Sequence, residues 1–229
     1  KEDLDKNKKY IESILSSSIT TKDKVGEENN GEYIKYDSGI SYQGEAKDGK
    51  SGRIPHGKGE MTVPDGPVIT GEFKEGLADG HAKMDFLDGE VYEGEWKENK
   101  KHGKGIYVWP NGNKYEGEYQ KGEQHGYGIF TWSNGKSWVG EWENDKENGN
   151  GVLNYTDGAI YEGYWHQGEI NGIEYEQDDG SFEVEKAKYT SSHQFIFEGV
   201  FTGPKQGNQR TTNGTITTPN GLEINLKDC

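Results

Sequence analysis

The sequence predicts an all-β fold: an elongated, twisted, single-layer antiparallel β-sheet, built as a meander of tandem hairpins and preceded by a short N-terminal helix. Three observations predict it. A strand motif recurs every 23 residues, its ring-bearing and charged residues alternate with period two, and an Asp-Gly or Asn-Gly pair follows at a set distance. Self-similarity at a fixed period marks a repeat architecture. Strict alternation marks a half-buried strand, and Asp-Gly or Asn-Gly between such strands marks a hairpin.

The motif reads Tyr92-Glu93-Gly94-Glu95-Trp96, Tyr115-Glu116-Gly117-Glu118-Tyr119, Trp138-Val139-Gly140-Glu141-Trp142 and Tyr161-Glu162-Gly163-Tyr164-Trp165. Ile69-Thr70-Gly71-Glu72-Phe73 fits one step earlier, and Tyr42-Gln43-Gly44-Glu45 lies 27 residues before that, an excess assigned to a loop over residues 47–55. A second half-motif is equally regular: His56-Gly57-Lys58-Gly59, Asp79-Gly80-His81-Ala82, His102-Gly103-Lys104-Gly105, His125-Gly126-Tyr127-Gly128 and Asn148-Gly149-Asn150-Gly151. Four residues further on stand Val63, Phe86, Trp109, Trp132 and Tyr155, each followed by Asp-Gly or Asn-Gly. About seven such units are expected.

Period two decides the faces. Tyr92, Gly94 and Trp96 share one side of their strand while Glu93 and Glu95 take the other. On the return strand Gly105, Tyr107 and Trp109 share a face, so glycines and rings lie together. A glycine leaves a gap in a sheet surface across which a neighbouring ring can lie. Residues 31–180 are assigned to these repeats. Residues 181–229 read as degenerate hairpins capping the same sheet, with Phe197-Glu198-Gly199-Val200-Phe201 restoring the strand motif. Residues 1–30 read as a helix and linker, because Leu4, Ile11, Ile14, Leu15 and Ile19 fall near helical spacing.

Composition agrees with an unusual core. Only 38 of 229 residues are Leu, Ile, Val or Phe, and the net charge is -15. That pairing is typical of disorder, but 14 Tyr and 6 Trp supply large buried areas instead. The single cysteine, Cys229, excludes an internal disulfide framework. No run approaches the ~20 apolar residues of a membrane span, and the charged first 25 residues do not read as a secretory signal. The expectation is a soluble cytoplasmic protein.

Strand motif, glycine half-motif, aromatic and Asn/Asp-Gly together resemble the MORN repeat, most clearly over residues 69–165. The resemblance implies an extended sheet used as an interaction scaffold, as in radial spoke head and other cytoskeletal proteins. It therefore implies a non-enzymatic subunit of a large assembly, with the ciliary axoneme of radial spoke or central apparatus type the expected location. The alternative it implies is the regulatory segment of a larger enzyme such as a phosphoinositide kinase.

No catalytic, cofactor or metal site is expected. His56, His102 and His125 recur at one position in successive repeats, roughly 10 Å apart, too far to share an ion that binds at ~2.1 Å. Asp79 and Asn148 take the same slot, which suits a turn residue before glycine. Gly-Lys-Gly at 57–59 and 103–105 lacks the continuation of a phosphate loop. Glu93/Glu95 and Glu116/Glu118 read as a solvated edge. Forty-one acidic against 26 basic residues argue against nucleic acid and anionic lipid. The basic cluster Lys97, Lys100, Lys101, His102 and Lys104 reads as a solvated hairpin loop. What remains is the aromatic face: Trp96, Tyr107, Trp109, Tyr119, Phe130, Trp132, Trp142, Tyr155 and Trp165 are the candidate partner-binding residues, a floor for other proteins and for a peptide or helix in particular.

Overall fold

Alternation along each strand becomes two chemically distinct faces in the computed structural model, which describes residues 26–28, 31–50, 52–170, 174–176, 182–184, 187–201 and 212–226. Among these every regular element is a strand. The expected N-terminal helix lies outside the described residues. Two compact units divide the chain, Lys1–Pro110 with Tyr119–Gly122, and Asn111–Glu118 with Glu123–Cys229.

The first unit holds β1 (Gly26–Glu28), β2 (Gly31–Lys35), β3 (Ser41–Gly49), β4 (Gly52–Thr62), β5 (Val68–Lys74), β6 (Leu77–Asp85), β7 (Val91–Lys97) and β8 (Lys100–Val108). Each pairs antiparallel with the next, as an open meander. β9 (Lys114–Gln120) divides between the units. The second unit continues with β10 (Glu123–Thr131), β11 (Ser137–Glu143), β12 (Lys146–Asn154), β13 (Ile160–His166) and β14 (Glu169–Ile170). A separate pair, β15 (Glu174–Glu176) and β16 (Phe182–Val184), is followed by β17 (Ala187–Thr190), β18 (Ile196–Phe201), β19 (Thr212–Thr217) and β20 (Glu223–Leu226). β10 to β13 form a meander, β13 also pairs with β17, and β17 to β20 extend that sheet.

Two kinds of turn alternate. Asp88-Gly89 and its equivalents join a return strand to the following repeat: Gly89 N–H donates to Phe86 O and Phe86 N–H to Glu90 O. The other kind, unmarked in the sequence reading, is tighter. Glu98 and Asn99 both have positive φ, 48° and 62°, as do Asn144 and Asp145 at 53° and 63°. Two left-handed residues define the hairpin turn whose twist matches that of the strands. Their second amide reaches back one repeat, Asn99 N–H to Ala78 O at 2.9 Å, and the Asn99 side-chain oxygen accepts from Ala78 N–H at 2.6 Å.

The expected loop over residues 47–55 is instead an extension of the β3–β4 hairpin, with Ala46 opposite Pro55 and Gly49 opposite Gly52. Arg53 holds it down by donating to Glu32 and to Ala46 O. Pairing satisfies the backbone of the inserted residues, which a loop would leave to solvent.

The core is made of rings lying on glycines. A Cβ added to Gly105 would come within 2.6 Å of Tyr92 Cε2, and one on Gly128 within 2.6 Å of Tyr115 Cζ. Ile69 replaces the ring in one repeat, and there the facing glycine is replaced by Ala82, opposite Gly71. The rings then meet edge to face along each unit. Tyr92 contacts Trp96 and Tyr119, both at 5.1 Å, and in the second unit Trp138 contacts Trp142 at 5.0 Å and Trp165 at 5.7 Å. Such pairs add about 0.5–1.5 kcal/mol each beyond area burial. Phe197 repeats the arrangement near the C-terminus, its ring 2.9 Å from a Cβ placed on Gly214.

Gly105→Ala is expected to lose about 1–3 kcal/mol by overpacking against Tyr92, and Ala82→Gly only about 0.5–1 kcal/mol. Combining Tyr92→Ile with Gly105→Ala copies the Ile69/Ala82 solution. A double-mutant cycle in urea should therefore show a favourable coupling, and strict additivity would contradict the ring-over-glycine account.

Candidate protein interface

Each repeat is locked by three residues of the strand motif. β7 and β8 pair through Gly94 opposite Gly105 and then Trp96 opposite Lys101, so Glu95 faces a bulge of residues 102–104. A bulge leaves backbone groups without ladder partners. Tyr92 covers the glycines and its hydroxyl donates to Glu95 O at 2.9 Å, while the Glu95 carboxylate accepts from Lys104 N–H at 3.0 Å. Tyr115 donates likewise to Glu118 O at 3.0 Å, and Tyr42 to Glu45 O at 2.8 Å. Glu72 and Glu141 accept from His81 N–H at 3.3 Å and Asn150 N–H at 3.4 Å.

The second glutamate of the motif is thus exposed yet architectural, which corrects its reading as a merely solvated edge. Recurrence at one position in five successive repeats, from Glu45 to Glu141, was the signal that could have revealed it. The left-handed residue of the His/Asp/Asn-Gly slot is the glycine: Gly103 has φ 53° and Gly126 62°. His102 precedes it in the bulge. Among the described residues no three His, Cys, Asp or Glu side chains converge on a metal-sized site, and no helix is long and apolar enough to cross a membrane.

The nine aromatic candidates separate into two groups. Trp96, Tyr107 and Tyr119 in the first unit, and Trp142 and Trp165 in the second, are buried. Their rings are core. The Trp96 indole N–H is satisfied internally by Ala82 O at 2.9 Å. Trp109, Phe130 and Trp132 are half-buried, and Tyr155 is 37% exposed. Trp109, Trp132 and Tyr155 sit at the base of the Asn/Asp-Gly turn in successive repeats. In the first unit the Trp109 ring rests 4.6 Å from Tyr107. In the second Phe130 and Trp132 meet at 4.8 Å.

Cations lie on these rings. Lys136 sits 4.6 Å from the Trp132 ring and 5.2 Å from Tyr155. Lys101 stands over three tyrosines, 4.6 Å from Tyr107, 5.0 Å from Tyr119 and 5.6 Å from Tyr92. This corrects the reading of a basic loop: Lys100, Lys101, His102 and Lys104 belong to β8, and register turns Lys101 onto the aromatic face opposite Trp96. A positive charge over an aromatic face gains from the ring quadrupole.

Burial governs the tyrosine chemistry. Desolvation, followed by the neighbouring glutamates, raises the hydroxyl pKa of Tyr42, Tyr92 and Tyr115 well above the ordinary value. Tyr107 is raised by burial first and then by its hydrogen bond to the Glu90 carboxylate. Tyr161 is pushed up to about 12, mainly by burial.

Comparison with known proteins adds the sequence family. The profile of the MORN repeat matches residues 54–68, 70–91, 92–114, 115–137, 138–160 and 161–173, which together exceed half of the chain. No curated protein matches the sequence. Among solved structures, the TCP domain of SAS-4 (dCPAP) of Drosophila melanogaster, in complex with a proline-rich motif of Ana2 (dSTIL), is similar at 11% identity and TM-score 0.45, covering 80% of this chain and 89% of that one. The TCP10 domain of Danio rerio CPAP gives 10% identity and TM-score 0.30, with 90% and 94% covered. Virginiamycin B lyase of Staphylococcus aureus gives 16% identity and TM-score 0.18, with 85% and 68% covered. At these scores none bears on function.

The buried tyrosines set an alkaline limit. Unfolded tyrosines ionise near ~10, whereas those in the fold keep their protons to higher pH. The folded state therefore binds more protons above that pH, and stability falls as pH rises. Urea midpoints should drop from about pH 10 upward, with most tyrosinate absorbance appearing together with unfolding. Full ionisation of the buried tyrosines near pH 10 in the intact fold would contradict this.

Proposed function

We propose that this chain, which belongs to the MORN-repeat family, is a non-enzymatic scaffold that holds other proteins on its aromatic face within a large cytoskeletal assembly. The observation that carries the reading is that each unit keeps partly exposed rings at its turn bases. Phe86 and Trp109 in the first unit, and Trp132 and Tyr155 in the second, stand one per repeat above a rigid buried core. Large aromatics fixed in place lose little side-chain freedom on binding, and tryptophan and tyrosine dominate interface hot spots.

The buried candidates, such as Trp96 and Trp142, belong to the core of their own units. A peptide or a helix is the ligand this floor suits, with Lys101 and Lys136 offering charge beside the rings. The excess of acidic residues supports a protein partner over nucleic acid or an anionic membrane. Family resemblance supports the cytoplasmic cytoskeleton and, within it, a ciliary axoneme of radial spoke or central apparatus type.

Trp109→Ser and Trp132→Ser test the reading by affinity purification of the tagged chain from its native source. Each should lose co-purifying proteins by about tenfold, the scale of one hot-spot side chain, with circular dichroism and urea midpoint close to those of the parent. Retention of the same proteins by both folded variants would reject the aromatic face as the docking surface. A co-purifying set without cytoskeletal components would reject the proposed assembly.

A further inference from the structure

Each Asn/Asp-Gly turn is followed by one residue that leads into the next strand, and the repeats fill this slot differently. Glu90 accepts from the Tyr107 hydroxyl, the Asn113 side-chain oxygen accepts from Ser133 N–H at 3.0 Å, and Ala159 is buried. Lys136 is committed to none of these roles. Its half-buried ammonium lies 4.6 Å from the Trp132 ring and 5.2 Å from the Tyr155 ring, between partly exposed aromatics of two successive repeats. No carboxylate of the described residues pairs with it, whereas Lys83, Lys114 and Lys188 pair with Asp85, Glu116 and Glu198. The Tyr155 hydroxyl likewise makes no hydrogen bond among the described residues.

Charge along the turns changes with the slot. Those of the first unit carry Asp65, Asp88 and Glu90, whereas the turns that open the second carry Asn111, Asn113 and Asn134. The next acid, Asp157, is tied to its own turn by accepting from Ala159 N–H at 3.0 Å. Lys101 differs from Lys136 because the three tyrosines under it are buried. We propose that Lys136, Trp132 and Tyr155 recognise an acidic peptide segment of a partner protein, in which an aspartate or glutamate stands beside an apolar residue. The carboxylate accepts from the Lys136 ammonium and the Tyr155 hydroxyl, and the apolar side chain covers the Trp132 ring. This rests on the aromatic face being a protein-docking surface and names the chemistry of its partner. The rings hold the ammonium in place, and a carboxylate supplies the acceptor that its N–H donors need. Covering the rings also expels the water that would screen the pair.

The test selects a random-peptide library displayed on phage against the immobilised 229-residue chain, and in parallel against Lys136→Gln, Lys136→Glu and Trp132→Ser. Peptides held by the parent are expected to carry Asp or Glu next to an apolar residue. Their synthetic copies should bind Lys136→Gln about tenfold more weakly, and Lys136→Glu should select Lys or Arg instead. Glutamate fits this slot, as Glu90 shows in the first unit, and urea midpoints check that each variant is folded. Should Lys136→Glu fail to fold, the Gln variant still decides. Peptides that are lost in Trp132→Ser, yet lack acidic residues or bind Lys136→Gln as well as the parent, would overturn this inference and leave the aromatic face standing. Absence of selected peptides, or equal binding by every variant, would overturn both.

Discussion

Everything in this sheet depends on an aromatic ring lying flat on a pair of glycines. A single layer of strands has no second layer to bury its apolar side, so it must make a core from what projects from itself. Tyr92 over Gly94 and Gly105 does so by filling a gap that only glycine leaves, and the edge-to-face contacts then link one repeat to the next. The same constraint explains the composition. Tyrosine and tryptophan reach across a strand, whereas leucine and valine do not, and the aliphatic count can stay low without loss of order.

The tyrosine hydroxyl adds what an apolar ring could not. It satisfies the carbonyl of the glutamate three residues on, at the bulge where ladder pairing stops, and that glutamate satisfies a bulge amide in turn. Ring, glycine and carboxylate therefore form one unit: losing the ring leaves a void, losing the carboxylate leaves a bulge amide unpaired, and replacing the glycine overpacks the ring. Trp138 shows which part is dispensable, covering Gly151 with an indole and no hydroxyl. Ile69 with Ala82 shows that ring and glycine change together.

The proposed function rests on what this arrangement leaves uncovered. Rings near the middle of each strand are consumed by the core, and those at the turn bases remain partly open. The opposite face holds the bulge-locking glutamates, while its other cross-strand positions vary from Thr70 opposite Lys83 to Val139 opposite Val152.

Repeat period, strand alternation, the shared face of glycine and ring, and the Asn/Asp-Gly turns were legible in the sequence, because each depends on local geometry with a fixed residue spacing. The tight turns at Glu98-Asn99 and Asn144-Asp145 were not, since left-handed backbone at non-glycine residues has no strong sequence mark. Nor was the fate of individual rings. Trp96 and Trp109 look equivalent along the chain, yet one is sealed beneath neighbouring repeats and the other stands at a turn base. Lys101 reads as a loop charge until register turns it onto three tyrosines, and Glu95 reads as solvated until a bulge brings an amide to it. Burial, register and bulge are set by which strands come together, so only the tertiary structure could decide them.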